Sequence, residues 1–260
     1  MRVNHGQGKI QHVNVGIGVL CLLWRELDCA MKYFLLSLLL VFPPAGMAGD
    51  KPVEIVERFD ESFDPSRFIT SLPNKNTEVR EGVLWTRGSS GGKYPPMVYL
   101  AVEGKDMEIS FRYRHLGDGG FIWFFVDGDD GFGSIDHMLR VKFRGDGVQL
   151  QVDSHSMDEN HPQRQNTGRS ADPVSGAYRL NERLPLQPLD LRGNEWREVV
   201  IKFEGPEVAL SIDGTEWKEF LNRPCFDAPK RKLLWMQNGG EKGVEIDDVV
   251  VKRSGVTSLE

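Results

Sequence analysis

From Val53 onward, apolar residues recur at every second position and glycine-containing turns interrupt them at short intervals. Val199, Ile201 and Phe203 alternate with Val200, Lys202 and Glu204, and Gly205-Pro206 then turns the chain. Val208, Leu210 and Ile212 alternate with Ala209, Ser211 and Asp213, and Asp213-Gly214 turns it again. Successive strand side chains point to opposite faces, so this pattern buries one face of a hairpin and wets the other. A helix needs a 3.6-residue period, and no long stretch of that kind follows Val53.

The same reading gives a second hairpin, Met138 to Phe143 with Val148 to Val152, around Gly145-Asp146-Gly147. Further strands are expected at Glu78 to Thr86, Met97 to Val102, Met107 to His115, Phe121 to Val126, Lys232 to Gln237 and Val244 to Lys252. About ten short strands with many turn residues predict an all-β protein, a β-sandwich or jelly roll, as one domain over 53–253. One segment, Ser154 to Asn194, shows no periodicity and is rich in Pro, Asn, Gln, Arg and Ser. It reads as a long loop, either functional or a disordered surface insertion.

The N-terminal part has a different character. Met31 opens a segment with Lys32 as a positive start, an apolar run from Phe34 to Phe42, and Gly46 and Ala48 at −3 and −1 of a cut before Gly49. That order is a secretory signal peptide over 31–48. The run is too short to span a bilayer, which takes roughly 20 residues, so no stable membrane insertion is expected after cleavage. A buried helix of a cytosolic domain is the alternative, and Pro43-Pro44 would end it at once. Residues 1–30 read as an upstream extension before a functional start at Met31, or as part of a bipartite leader. Cys21 and Cys29 fall in this region, leaving Cys225 alone and no internal disulfide. The expected location is secreted or periplasmic.

The formal net charge is −6 and no basic run stands out, so a nucleic-acid partner is not expected.

Several blocks occur in a telling order: Phe59-Asp60-Glu61-Ser62-Phe63-Asp64, Glu81-Gly82-Val83-Leu84, Gly119-Gly120-Phe121-Ile122, Ser175-Gly176-Ala177-Tyr178, Asn194-Glu195-Trp196, Leu210 to Gly214, Leu234 to Gly240 and Val244 to Val249. Together they resemble the 3-keto-disaccharide hydrolase family of exported concanavalin A-like (laminin-G-like) domains. The resemblance spans about Phe59 to Lys252. It implies a jelly-roll sandwich of two antiparallel sheets acting on oxidised glucosides or related sugars. The chain departs from the family pattern at Gln149, where the family carries a carboxylate, and in the Gly119 block, which lacks the family's Asn, Ser and terminal Arg.

Hydrolysis of a glycoside needs an acid and a base held across the bond. Asp153, His155, Asp158 and Glu159 cluster where a strand enters the long segment. His155 can exchange a proton near neutral pH, and Asp153 can orient it or act itself; the alternative is a solvated polar turn. Asp127, Asp129 and Asp130 form an acidic turn that could hold calcium, though later ligands of a calcium loop are missing and a hydrated turn is the alternative. No other cofactor is expected, since His137, His155 and His161 have no zinc-type spacing.

Sugars also stack on aromatic rings. Trp123, Tyr178, Trp196, Trp217 and Trp235 are the pool, with Trp123 and Trp235 assigned to the core because they lie in apolar strands. Tyr178, beside Arg179, is the preferred contact. Arg140, Gln149, Gln151 and Gln237 are the polar contacts expected along the strands. Two functions stay open: a glycoside-active enzyme using Asp153 and His155, or a non-catalytic carbohydrate-binding sandwich.

Overall fold

The alternation that predicts strands also decides which side chains lie between the two sheets. The computed structural model describes residues 53–61, 63–68, 76–88, 96–117, 120–132, 134–164, 171–172, 174–216, 221–238, 240 and 242–253. The chain divides into a unit spanning Met1–Gly49 and one spanning Asp50–Glu260. The signal peptide expected over 31–48 lies outside the described residues, as does Trp217. No helix among the described residues is long and apolar enough to cross a membrane.

In chain order the strands are β1 (Val53–Glu57), β2 (Thr77–Arg80), β3 (Val83–Thr86), β4 (Met97–Gly104), β5 (Met107–His115), β6 (Phe121–Asp129), β7 (Ser134–Arg144) and β8 (Gly147–Ser156). They continue with β9 (Tyr178–Arg183), β10 (Gln187–Pro188), β11 (Arg197–Glu204), β12 (Glu207–Ile212), β13 (Thr215–Glu216), β14 (Leu221–Asn222), β15 (Lys230–Asn238) and β16 (Val244–Arg253). The first sheet runs β13-β12-β11-β5-β16-β3-β2, with β1 also on β16 and β14 on β12. The second runs β10-β8-β7-β6-β15-β4, with β9 also on β8. The pairings in both are antiparallel.

Between the sheets lies one core. Ile109, Phe111 and Tyr113 of β5 and Val199, Ile201 and Phe203 of β11 meet Ile122, Phe124 and Val126 of β6, Val141 and Phe143 of β7, and Trp235 of β15. Phe111 sits at the centre, with ring centroids 5.1 Å from Phe124, 5.7 Å from Trp235 and 6.3 Å from Phe143. Each such side chain contributes roughly 1.5–3 kcal/mol by leaving water.

Two expectations are corrected. Glu78 to Thr86 is a hairpin, β2 and β3, joined at Glu81 and Gly82, which take φ of 50° and 77°. Two positive φ values fit a tight hairpin turn, but Glu at its first position lacks the usual Asn or Asp signal. The segment from Ser154 to Asn194 is not one long loop: β8 continues to Ser156, and β9 and β10 both add to β8. β9 escaped notice because Leu180 is its only buried residue and its other positions are polar.

Candidate functional site

One face of the second sheet packs on the core, and strand alternation turns the other face away from it. In register across that outward face run Tyr99, Leu234, Phe125, Arg140, Gln151 and Arg183. A parallel row holds Met97, Met236, Trp123, Lys142 and Gln149. The outward positions of β6 thus present Phe121, Trp123 and Phe125, with Trp123 and Phe125 stacked at 5.6 Å. Trp123 is half-buried here, which corrects its assignment to the core. Trp235 is 1% exposed and does lie in the core. Trp196 lies on the first sheet under the guanidinium groups of Arg112 and Arg114.

Asp153 stands on the outward side of β8 and is completely buried. Arg140 and Arg179 both donate to its Oδ2, the latter at 2.9 Å. Asn181 donates to Oδ1, and the Gln151 amide lies 3.5 Å from the same oxygen. Three donors and a longer contact from Gln151, from three strands in all, engage both oxygens of Asp153. It fixes Arg140 and Arg179.

His155 is two residues on and takes a different partner. Its Nδ1 lies 2.9 Å from Asp130 Oδ2 and 3.1 Å from Oδ1. A carboxylate on Nδ1 fixes the imidazole ring and leaves Nε2 for a ligand. This pair lines a cavity of about 340 Å³ whose wall also includes His161, Gln163, Arg223 and Cys225. Arg223 is held there by Glu182 through two bonds of 2.6 Å.

The acidic turn disperses. The β6–β7 register shifts between Val126 and Gly128. Asp127 beside it accepts from the His137 backbone N–H at 2.8 Å and pairs with the His137 ring at 3.0 Å. The Lys232 ammonium is 2.9 Å from its other oxygen. Burial pushes the Asp127 carboxyl up, but the bonds from His137 and Lys232 outweigh that and hold it below its ordinary value. Asp129 pairs with Arg231 at 2.9 Å and Asp130 with His155. Each carboxylate meets its own basic group, and among the described residues no three His, Cys, Asp or Glu gather as a metal site.

The other expected contacts separate. Gln149 and Gln151 share the outward face with Arg140, and Gln149 donates to the Leu184 carbonyl at 3.3 Å. Gln237 shares its face with Trp235 and is in register with core Ile122, so it lies on the inter-sheet side, not the outward one. Tyr178 faces opposite to Arg179 and Asn181 and lies under Arg164, whose guanidinium is 4.2 Å from the ring centre. Arg179, Asn181 and Asp130 are the partners that sequence reasoning missed. Only the alternation Arg179, Asn181, Arg183 around Leu180 hints at β9.

No protein-family model matches the sequence, and no curated protein matches it. Among solved structures the chain is similar to the CBM2 module of the evolved Dit of Lactobacillus casei BL23 phage J-1. Identity is 12%, the TM-score is 0.50, and the match covers 79% of this chain and 98% of that one. The GlcNAcα1-4Gal-releasing endo-β-galactosidase of Clostridium perfringens matches at 13% identity and TM-score 0.48, over 82% of this chain and 65% of that one. LamAcat of Zobellia galactanivorans matches at 13% and 0.47, over 80% and 100%. At such identities a likeness speaks to architecture alone, and the architecture is a concanavalin A-like jelly-roll sandwich of two antiparallel sheets.

Proposed function

We propose that this is an exported, secreted or periplasmic, carbohydrate-binding protein whose ligand lies on the outward face of the second sheet. The observation that carries this reading is the set of side chains sharing that face: Phe121 and Trp123 on β6, Lys142 and then Gln149 in register with Trp123, and Arg140 in register with Phe125. Rings offer a flat apolar surface to sugar CH groups, and fixed polar side chains beside them select hydroxyls. The engagement of both Asp153 oxygens by neighbouring side chains and the presence of Gln149 where the resembled family carries a carboxylate both favour binding over hydrolysis.

A second reading rests on a separate observation. The His155–Asp130 pair lining its cavity has the arrangement of an oriented general base, which suits acid/base chemistry on a 3-keto-glucoside. Titrating the purified protein with neutral oligosaccharides and assaying it on 3-keto-glucosides separates the two. Saccharide binding that Trp123→Ala abolishes, without turnover, is the expected result. Turnover lost in both His155→Ala and Asp130→Asn would make the enzyme reading the correct one. Failure to bind any saccharide would overturn the proposal.

A further inference from the structure

The outward positions of β7 are Arg140, Lys142 and Arg144, three cations in a row on a chain whose net charge is −6. Two are neutralised: Arg140 by Asp153, and Arg144 by Asp146 through bonds of 2.8 and 2.9 Å. Lys142 meets no carboxylate at ion-pair distance among the described residues. Its ammonium lies 3.6 Å from the centre of the Phe121 ring and 5.1 Å from that of Trp123. Burial, with Arg144 and Arg183 nearby, holds this lysine below its ordinary pKa, against an opposite pull from Asp146.

Beside it opens a cavity of about 730 Å³ lined by Phe121, Lys142, Arg144, Asp146, Arg192 and His115. Arg192 is tied to Asp190 at 2.9 Å. His115 is 6% exposed, and its buried Nε2 has no partner among the described residues, a polar group the fold itself leaves unmet. The cavity therefore combines the Phe121 ring, with Trp123 adjoining it, and a partly desolvated ammonium that no carboxylate pairs. A cation in that setting gains most from an anion, because solvent screens the pair weakly.

We infer that this cavity takes the carboxylate or sulfate of an acidic saccharide, with Lys142 forming the ion pair and the adjoining rings of Phe121 and Trp123 taking the sugar face. The inference rests on the carbohydrate reading above and narrows it to a ligand class.

The test titrates the full chain with oligogalacturonate, a sulfated galactan oligosaccharide, neutral laminaritetraose and inorganic polyphosphate, each at low and high salt. One or both acidic saccharides should bind at least tenfold tighter than the neutral one, with affinity falling as salt rises. Lys142→Gln should cut that acidic-to-neutral ratio about tenfold, the worth of one ion pair of about 1.4 kcal/mol, with an unchanged melting profile confirming the fold. Which acidic sugar binds tells carboxylate from sulfate. A ratio unchanged in Lys142→Gln, or polyphosphate binding as tightly as the acidic sugars, overturns the inference. Neutral and acidic sugars binding alike overturns it while leaving the carbohydrate reading intact. No saccharide binding at all overturns that reading as well.

Discussion

His155 directs Nδ1 at Asp130, 2.9 Å away and 25 residues earlier in the chain, and not at Asp153, its neighbour on the same face of β8. The two carboxylates near this strand end therefore do different work. Asp130 orients an imidazole at a cavity. Asp153 ties β7, β8 and β9 together through Arg140, Gln151, Arg179 and Asn181.

Removing the Asp153 carboxylate would take from the Arg140 and Arg179 guanidinium groups the buried anion that they share. Breaking a buried ion pair from one side costs about 3–5 kcal/mol. Asp153→Ala should thus lose about 3 kcal/mol in urea denaturation. Arg144→Gln, which breaks the exposed pair with Asp146, should lose less than about 1 kcal/mol. Equal losses in the two variants would show that Asp153 is not a tie between strands.

Lys230 is completely buried, donating to the Lys105 and Phe226 carbonyls over the Phe203 ring. Burial lowers its pKa to about 8, below the ordinary value of about 10.4 kept in the unfolded chain. Between those values the unfolded chain holds the extra proton, so this lysine makes stability rise with pH, by at most about 1.4 kcal/mol per unit. Cys225 has the opposite sign. Burial, with Asp130 nearby, pushes its thiol up to about 12, so the folded protein keeps a proton that the unfolded chain sheds above about 8.5. Denaturation from pH 7 to 10 should show the stability gap between wild type and Lys230→Met moving in favour of wild type. The gap to Cys225→Ala should move the other way. Curves that stay parallel in both comparisons would contradict the two assignments.

Gly147 starts β8 with φ of 152°, and a Cβ there would stand 2.3 Å from the Gln187 carbonyl oxygen of β10. The close crossing leaves room for glycine only. Gly147→Ala should cost about 2 kcal/mol, within the range for imposed backbone strain, whereas Gly193→Ala, with open space around its Cβ, should cost less despite its own positive φ. Chemical denaturation of both variants compares them directly.

Hydrophobic alternation made the sandwich legible: β11 and β12 follow from it almost residue for residue, since each buries alternate Val, Ile, Leu or Phe, whereas in β7 and β8 it reaches only the halves beside their shared turn. The same rule misses β9 and the site around it, because Arg179 and Asn181 are fixed by hydrogen bonds to Asp153 and not by burial of apolar surface. Arg140 and Gln151 were identifiable as polar residues at strand positions, and Asp153 and His155 as polar residues just past a strand that in fact runs on to Ser156. Their partners were not, because Asp130 and Arg179 reach them across 25 and 26 residues and nothing local encodes the pairing. Gln237 failed for a different reason: at the end of β15 a core-facing position is polar, so alternation counted from Leu234 and Met236 puts it on the wrong side.

Trp123 and Trp235 sit in paired strands and face opposite ways, which makes them a matched test of the two faces. Trp235 packs edge-on against Phe111 and at 5.3 Å against Phe124, between the sheets. Trp235→Ala should cost about 4 kcal/mol, in the range for deleting a large core aromatic, and weaken saccharide binding only by populating unfolded chains. Trp123 is half-buried and stacks on Phe125. Trp123→Ala should cost about 1 kcal/mol of stability, the worth of an aromatic pair, while lowering saccharide affinity at least tenfold in the folded protein. Denaturation and saccharide titration on the same samples separate the two effects. Trp123→Ala binding as tightly as wild type would move the ligand off this face.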